Sequence, residues 1–190
     1  NKLSKIINQD IQRLDRLVTD ISNASRLDAE LSREGMKKID IKKILEETVI
    51  FYNREKKKIL FNFMKDTNFI TYGNEQRLSQ VFNNIIDNAL SFNKHNKKIE
   101  IFLKNNKKNI FIEISDYGPG IHTNNFNKIF DRFYTERPSD EKFGQHSGLG
   151  LSIVKQILDA HKGLVKVENK IEKNKKVIGA KFTIILKKVI

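Results

Sequence analysis

The stretch EQRLSQVFNNIIDNALSF, residues 75–92, constrains this chain more than any other part of it. Leu78, Val81, Phe82, Ile85, Ile86 and Ala89 recur with the 3.6-residue period of a helix that buries one face. Residues four apart on such a helix stand one turn above the other, so Asn84 and Asn88 project from the same side. Two amides placed this way are either ordinary solvated side chains or a pair of ligands. The choice depends on two glycine clusters further along, Asp116-Tyr117-Gly118-Pro119-Gly120 and Ser147-Gly148-Leu149-Gly150-Leu151.

Each cluster adjoins an element. Residues 109–115 alternate Ile110, Ile112 and Ile114 against Phe111 and Glu113, with both faces largely apolar, which predicts a strand in a covered sheet. Asp116 follows directly. A carboxylate at a strand end accepts a hydrogen bond from an exocyclic amine such as that of adenine, and the glycines beside it let backbone approach a flat ring. A plain Asp-Gly turn is the competing reading. At the second cluster, Gly148 and Gly150 precede Leu151, Val154, Ile157 and Leu158 at helical spacing, with Ser147 placed to cap the helix. Free N–H groups at such a terminus form an anion site. The pattern matches neither the phosphate loop with its Gly-Lys-Ser/Thr ending nor the dinucleotide fingerprint. An asparagine oxygen is a hard ligand that takes one position on Mg²⁺ while phosphate oxygens and waters fill the rest. In this order and spacing the three pieces describe an ATP site.

These residues resemble the catalytic ATP-binding region of sensor histidine kinases, in the superfamily shared with gyrase, Hsp90 and MutL ATPases. Residues 80–92 resemble the N box, 116–121 the first G box, Ile129-Phe130-Asp131-Arg132-Phe133-Tyr134 the F box and 147–151 the second G box. The resemblance implies an α/β fold, a two-layer sandwich of the histidine kinase/Hsp90-like kind. It also implies a mixed sheet with helices on one face and a mobile lid from about 122 to 147. Asn84 would then bind Mg²⁺, Asn88 would meet phosphate and Asp116 would read adenine. Gly118, Gly120, Ile121, Ser147, Gly148, Leu149, Gly150 and Leu151 would complete the nucleotide site. Phe92 and Tyr134 either flank adenine or pack inside the sandwich.

The resemblance reaches the start of the chain. Leu3, Ile7, Leu14, Leu17, Ile21, Ala24 and Leu31 repeat at alternating spacings of three and four, broken by Asp10 and Asp28 at seam positions, the pattern of a coiled coil or bundle. Residues 1–35 are similar to the second helix of the dimerisation and phosphoacceptor hairpin, a long N-terminal helix ahead of a catalytic domain at 36–190. The segments 10–17 and 24–31 are similar in detail to the ChvG-type sensor kinases of alphaproteobacteria, as are Ser91-Phe92, Phe133-Tyr134-Thr135 and Phe143-Gly144-Gln145-His146-Ser147. A homodimer through residues 3–31 is the expectation, tested by light scattering.

None of the four histidines, His95, His122, His146 and His161, stands in the His-Glu-x-x-Arg-Thr-Pro context of the family's phosphoacceptor helix. The chain therefore reads as a shortened piece whose acceptor histidine, membrane spans and sensor lie upstream. Ser91 stands where the family usually has a phosphate-binding lysine, with Lys94 one turn beyond as a substitute. Arg137 and Lys142 are either phosphate contacts or solvated charges. Family members that hydrolyse ATP carry a glutamate one turn before the metal-binding asparagine as the base for water. Here that position is Gln80, whose amide cannot take the proton, so the nucleotide should be kept for an external nucleophile.

The sequence reading is thus an ATP- and Mg²⁺-dependent histidine protein kinase fragment, with Asn84 and Gln80 at the catalytic position. Its parent would be an inner-membrane sensor with this portion in the cytoplasm, signalling to a response regulator. A conformational ATPase and a nucleotide-sensing module are the alternatives. The net charge of +13 invites a nucleic-acid reading, but the lysines are scattered at turns and element ends with no recognition helix beside them, so no nucleic-acid partner is expected. The absence of cysteine excludes disulfides and cysteine zinc sites. No apolar run approaches the roughly 20 residues of a membrane span. Residues 41–52 predict a helix, 58–64 and 98–103 strands, and 163–167 with 177–186 a closing hairpin across a loop at 170–176.

Overall fold

The computed structural model describes residues 11, 18, 22, 35–65, 67–93, 97–123, 125–135, 148–172 and 175–189. Ile11, Val18 and Ser22 are helical. The seam residues Leu3, Ile7, Leu14, Leu17, Ile21, Ala24 and Leu31 lie outside the described residues, as do Lys94, His95, Arg137, Lys142, His146 and Ser147.

From residue 37 the elements run β1 (Lys37–Asp40), α1 (Ile41–Arg54), β2 (Ile59–Phe63), β3 (Ile70–Gly73), α2 (Glu75–Phe92), β4 (Ile99–Asn105), β5 (Asn109–Ser115), a 3₁₀ turn (Phe126–Phe130), α3 (Gly150–Ala160), β6 (Leu164–Ile171) and β7 (Val177–Lys187). Five strands form one sheet in the order β2-β4-β5-β7-β6, parallel between β2 and β4 and antiparallel elsewhere. Helices α1, α2 and α3 cover one face of it, α1 over β2, α2 over β4 and β5, α3 over β6. This is the two-layer α/β sandwich with a mixed sheet that the sequence implies.

The core follows from periodicity. Leu78, Val81, Phe82, Ile85, Ile86 and Ala89 of α2 are buried, as are Ile110, Ile112 and Ile114 of β5 and Ile153, Val154, Ile157 and Leu158 of α3. Burying such a side chain contributes about 1.5–3 kcal/mol, so α2 alone anchors the layer. Asn74 caps it, its side chain accepting from the Arg77 N–H at 3.0 Å. Tyr52 of α1 donates to Asp87 of α2 at 2.7 Å, tying the two helices together.

The covered-sheet expectation for β5 needs correction. Phe111 and Glu113 face the open side, where Glu113 pairs with Lys104 at 2.7 Å and a groove of about 520 Å³ runs between Phe111, Lys104, Lys166, Lys181 and Ile185. A mostly antiparallel sheet can leave one face to water. Long lysine and glutamate stems then cover the aromatic, which is why the strand reads as apolar on both sides. β1 and β3, which pair antiparallel beside the main sheet, carry no sequence expectation at all.

His161, at the C-terminus of α3, joins two helices. Its Nδ1 donates to the Ile157 carbonyl at 2.7 Å and its Nε2 accepts from the Asn74 N–H at 3.0 Å, so the ring must be neutral. Burial pushes its pKa below the ordinary 6.5, against the opposing pull of the Ile157 carbonyl. An unfolded chain takes up this proton as pH falls through 6.5, whereas the folded one resists, so stability is lost on acidification below that value. The denaturation midpoint is expected to drop between pH 7 and 5.5 as the unfolded chain takes up this proton. His161→Gln, which keeps an acceptor for Asn74 without titrating, should flatten that slope in urea titrations.

Candidate nucleotide site

Helix α2 carries the two amides, and Asn84 reaches the start of α3. The Asn84 Nδ2 donates to the Gly150 carbonyl at 3.2 Å, which leaves its Oδ1 as an acceptor beside the start of α3. Asn88 stands one turn on, half-buried, with its backbone carbonyl taking the Ser91 hydroxyl at 2.7 Å. Ser91 thus spends this bond on its own helix.

Among the described residues no side chain caps α3: Leu149 occupies the cap position and makes no side-chain capping bond, while Ser147, the cap that the sequence suggests, lies outside the described residues. The Leu149 carbonyl accepts from the Ile153 N–H at 2.9 Å and from the Ser152 hydroxyl at 2.8 Å. The side chain of Leu149 is in the core and Leu151 packs against it, so the terminus offers a ligand its backbone. The first N–H groups of an α-helix have no intrahelical partner, and an anion satisfies them. Gly148 adopts φ +71, and its carbonyl accepts from the Phe133 N–H at 3.1 Å. That bond ties the middle of the segment expected to form the lid to the residue just after it. The segment is not all cover, however: Ile129 and Phe130 are buried in the core, and the 3₁₀ turn around them packs on α3.

Asp116 forms the other end. It is 4% exposed at the tip of β5, and its Oδ1 accepts from the Gly118 N–H at 2.8 Å and the Ala180 N–H at 3.0 Å. Burial pushes its carboxyl pKa up, while the two backbone donors and then the nearby Lys170 ammonium pull it down. With Oδ1 doubly engaged, Oδ2 is the acceptor left for a ligand amine. Gly118 lies against the end of α2, so close that a side chain there would come within 2.9 Å of the Phe92 carbonyl. Phe92 is half-buried, and Tyr134 packs partly buried on the core. Ile121 also packs on the core.

Helix α2 therefore touches both ends of the candidate site, Asn84 at the α3 terminus and Phe92 at the Asp116 turn. Eight residues of helix separate them, about 12 Å of rise, a span suited to a purine at one end and a phosphate tail at the other. Gln80, one turn before Asn84, accepts from the Arg77 guanidinium at 3.4 Å. Among the described residues no cluster of histidine, cysteine or carboxylate side chains could cage a metal. A metal here would depend on Asn84 Oδ1 and on oxygens the ligand brings, a donor set that fits Mg²⁺ better than zinc.

Sequence reasoning missed how the turn at 116–121 is held. Tyr117 donates to Glu100 at 2.9 Å, and the Asn169 side chain bonds the backbone of Ile121. Gly179, a lone glycine in the pattern of β7, was the available signal. It has φ +151, and any side chain there would run into the Asp116 carbonyl.

Residues 73–190 match the family model described as histidine kinase-, DNA gyrase B-, and HSP90-like ATPase. The sensor protein ChvG of Rhizobium meliloti is 42% identical over 97% of this chain and 34% of its own length. ChvG of Agrobacterium fabrum is 40% identical over 97% of the chain and 33% of its own. The chain thus spans about a third of the length of these curated relatives. Among solved structures, the Acinetobacter baumannii histidine kinase AdeS superposes with a TM-score of 0.69 at 25% identity, covering 98% of this chain and 84% of that one.

Proposed function

Because the chain belongs to the histidine kinase-, DNA gyrase B- and HSP90-like ATPase family, we propose that it is the catalytic ATP-binding part of a two-component sensor histidine kinase. It would hold ATP so that a phosphoacceptor histidine outside this domain attacks the γ-phosphorus. The single observation that carries this reading is the junction of Asn84 with Gly150, which sets an amide oxygen beside the N-terminus of α3.

The residues divide the work. Asp116 Oδ2 accepts from the adenine amine, and the backbone around Gly118 and Gly120 lies against the ring. The N–H groups at 150–152 and the Asn88 amide take phosphate oxygens. Asn84 Oδ1 would hold Mg²⁺, which when bound neutralises charge on the phosphate tail. Phosphoryl transfer needs little covalent help from a protein beyond such positioning. Gln80 cannot act as a base, and its oxygen accepts from Arg77, so this position does not activate water. That favours an external histidine over the conformational ATPase reading.

The a/d pattern at residues 3–31 supports a homodimer through the N-terminal helix, and kinship with sensor proteins supports a response regulator as the downstream acceptor. Among the described residues no helix is long and apolar enough to cross a membrane; anchoring in the inner membrane would belong to other parts of the parent.

Calorimetric titration with ADP and a non-hydrolysable ATP analogue, with and without Mg²⁺, tests this. Magnesium-dependent binding of the triphosphate with negligible steady-state hydrolysis is expected. Folded protein that binds neither nucleotide would overturn the reading, and sustained hydrolysis would move it to the ATPase alternative.

A further inference from the structure

The strand at the far edge of the sheet from α1 reaches the adenine end of the site twice. At Asn169 of β6, the side-chain Oδ1 accepts from the Ile121 N–H at 2.7 Å and the Nδ2 donates to the Ile121 carbonyl at 2.9 Å. One side chain thereby pairs with a loop residue as a neighbouring strand would. At the next residue, Lys170, the ammonium lies 3.3 Å from Glu100 and 3.7 Å from the centroid of the Tyr117 ring. Tyr117 in turn donates to the other oxygen of Glu100 at 2.9 Å. Successive residues of a strand point to opposite faces. Asn169 and Lys170 therefore grip the turn at 116–121 from its two sides.

Three further details show that this grip is built. The register of β6 against β7 shifts between Lys170 and Ile171, a bulge that re-aims side chains at the end of the pairing. Gly120 has φ +79, and a side chain there would collide with Val177 and come within 2.8 Å of Asn169 Oδ1. Gly179 opposite Lys170 leaves room for the Asp116 carbonyl. The base of the β6–β7 hairpin is thus shaped to the turn.

We propose that Asn169 is a positioning residue for nucleotide selection: by fixing Ile121 and Gly120 it sets the wall of the purine pocket, with Lys170, Glu100 and Tyr117 as the outer brace. This rests on the nucleotide-site reading above and adds a specificity role on a strand that carries none of the family boxes. Phosphate binding at the α3 terminus lies at the other end of α2 and does not depend on it. Loosening the turn should therefore cost adenine recognition selectively, since Asp116 discriminates an amine from a carbonyl only while the ring is held in register.

The test is calorimetric affinity for ADP and GDP in the wild type, Asn169→Ala and Lys170→Met, with thermal melts alongside. Asn169→Ala is expected to weaken ADP by about tenfold through the loss of its two half-buried hydrogen bonds to Ile121, and to narrow the ADP-over-GDP preference because GDP falls less. A purely structural role would lower both nucleotides alike and leave the ratio fixed, which would overturn the proposal. Lys170→Met keeps the aliphatic stem and removes the ammonium, so it tests the brace even if Asn169→Ala folds poorly; a smaller narrowing of the same ratio is expected, and none at all counts against it. If wild-type protein binds neither nucleotide, the underlying site reading fails; if it binds ADP selectively and both variants keep the wild-type ratio, only the positioning role fails.

Discussion

Replacing Asp116 with asparagine is expected to weaken ATP binding by about a hundredfold, at the upper end of what one hydrogen bond to a charged group contributes, while the melting temperature holds or rises. The two outcomes separate because the two carboxylate oxygens have different tasks. Oδ1 serves the fold, accepting from Gly118 and Ala180, and an asparagine oxygen in its place keeps both bonds. On the proposed reading Oδ2 serves the ligand. An amide nitrogen there would present a donor to the donor of the adenine amine, so the contact is lost and replaced by repulsion. The wild-type carboxylate is also uncomfortable. Burial raises its pKa, so folding favours the neutral acid, and the contribution present below the ordinary value of 3.8 is lost as pH rises through the raised one. Asparagine removes that cost at neutral pH, a case of a binding group held against stability. Calorimetry and melts on the same protein check both halves; a variant that melts far below wild type would mean Asp116 is chiefly structural.

How much of this was legible in the sequence depends on how far apart the interacting residues lie. Helix α2 and strand β5 were readable to their ends, because each buries one face and writes its period into adjacent residues. Strands β2, β4, β6 and β7 were found with ends displaced by a few residues. β1 and β3 were missed: four residues each, with a single buried position in one and two in the other, hold too little pattern. The covered-sheet reading of β5 failed because Phe111 on an open face looks like Phe111 in a core until its Lys104 neighbour across the strands is known.

The candidate site divides the same way. Asn84, Asn88, Asp116 and the glycines were named from local spacing, and the structure sets Asn84 beside Gly150 and Asp116 above Gly118. Leu149, an apolar residue that signals no cap in the sequence, takes the cap position of α3 next to Gly148 at φ +71. Asn169 could not have been found by spacing. Its partner is 48 residues away and is a backbone group, which leaves no trace in side-chain pattern. Glu100, Tyr117 and Lys170 converge from three different strands or their ends, so only the register of the sheet reveals them.

The second large effect is expected at Asn84. Asn84→Ala should remove most of the gain in triphosphate affinity that Mg²⁺ provides, at least the roughly ten- to hundredfold typical of groups that support a bound metal, while metal-free ADP binding changes little. The asymmetry follows from position. Asn84 is a helix away from the Asp116 turn, so the purine end should not register its loss, and the broken bond to Gly150 is one exchange of partner worth about 1 kcal/mol in stability. Asn84→Asp sharpens the test. A carboxylate supplies a harder oxygen to the metal but faces the Gly150 carbonyl with a second acceptor, so the start of α3 is pushed away from the helix that positions it. If the amide matters only as a metal ligand, aspartate should retain the magnesium gain; if it must also tether α3, aspartate should lose it almost as fully as alanine. The 3.2 Å bond to Gly150 argues for the second result. An unchanged magnesium gain in Asn84→Ala would instead move the metal to another ligand and leave this junction as a packing contact between two helices.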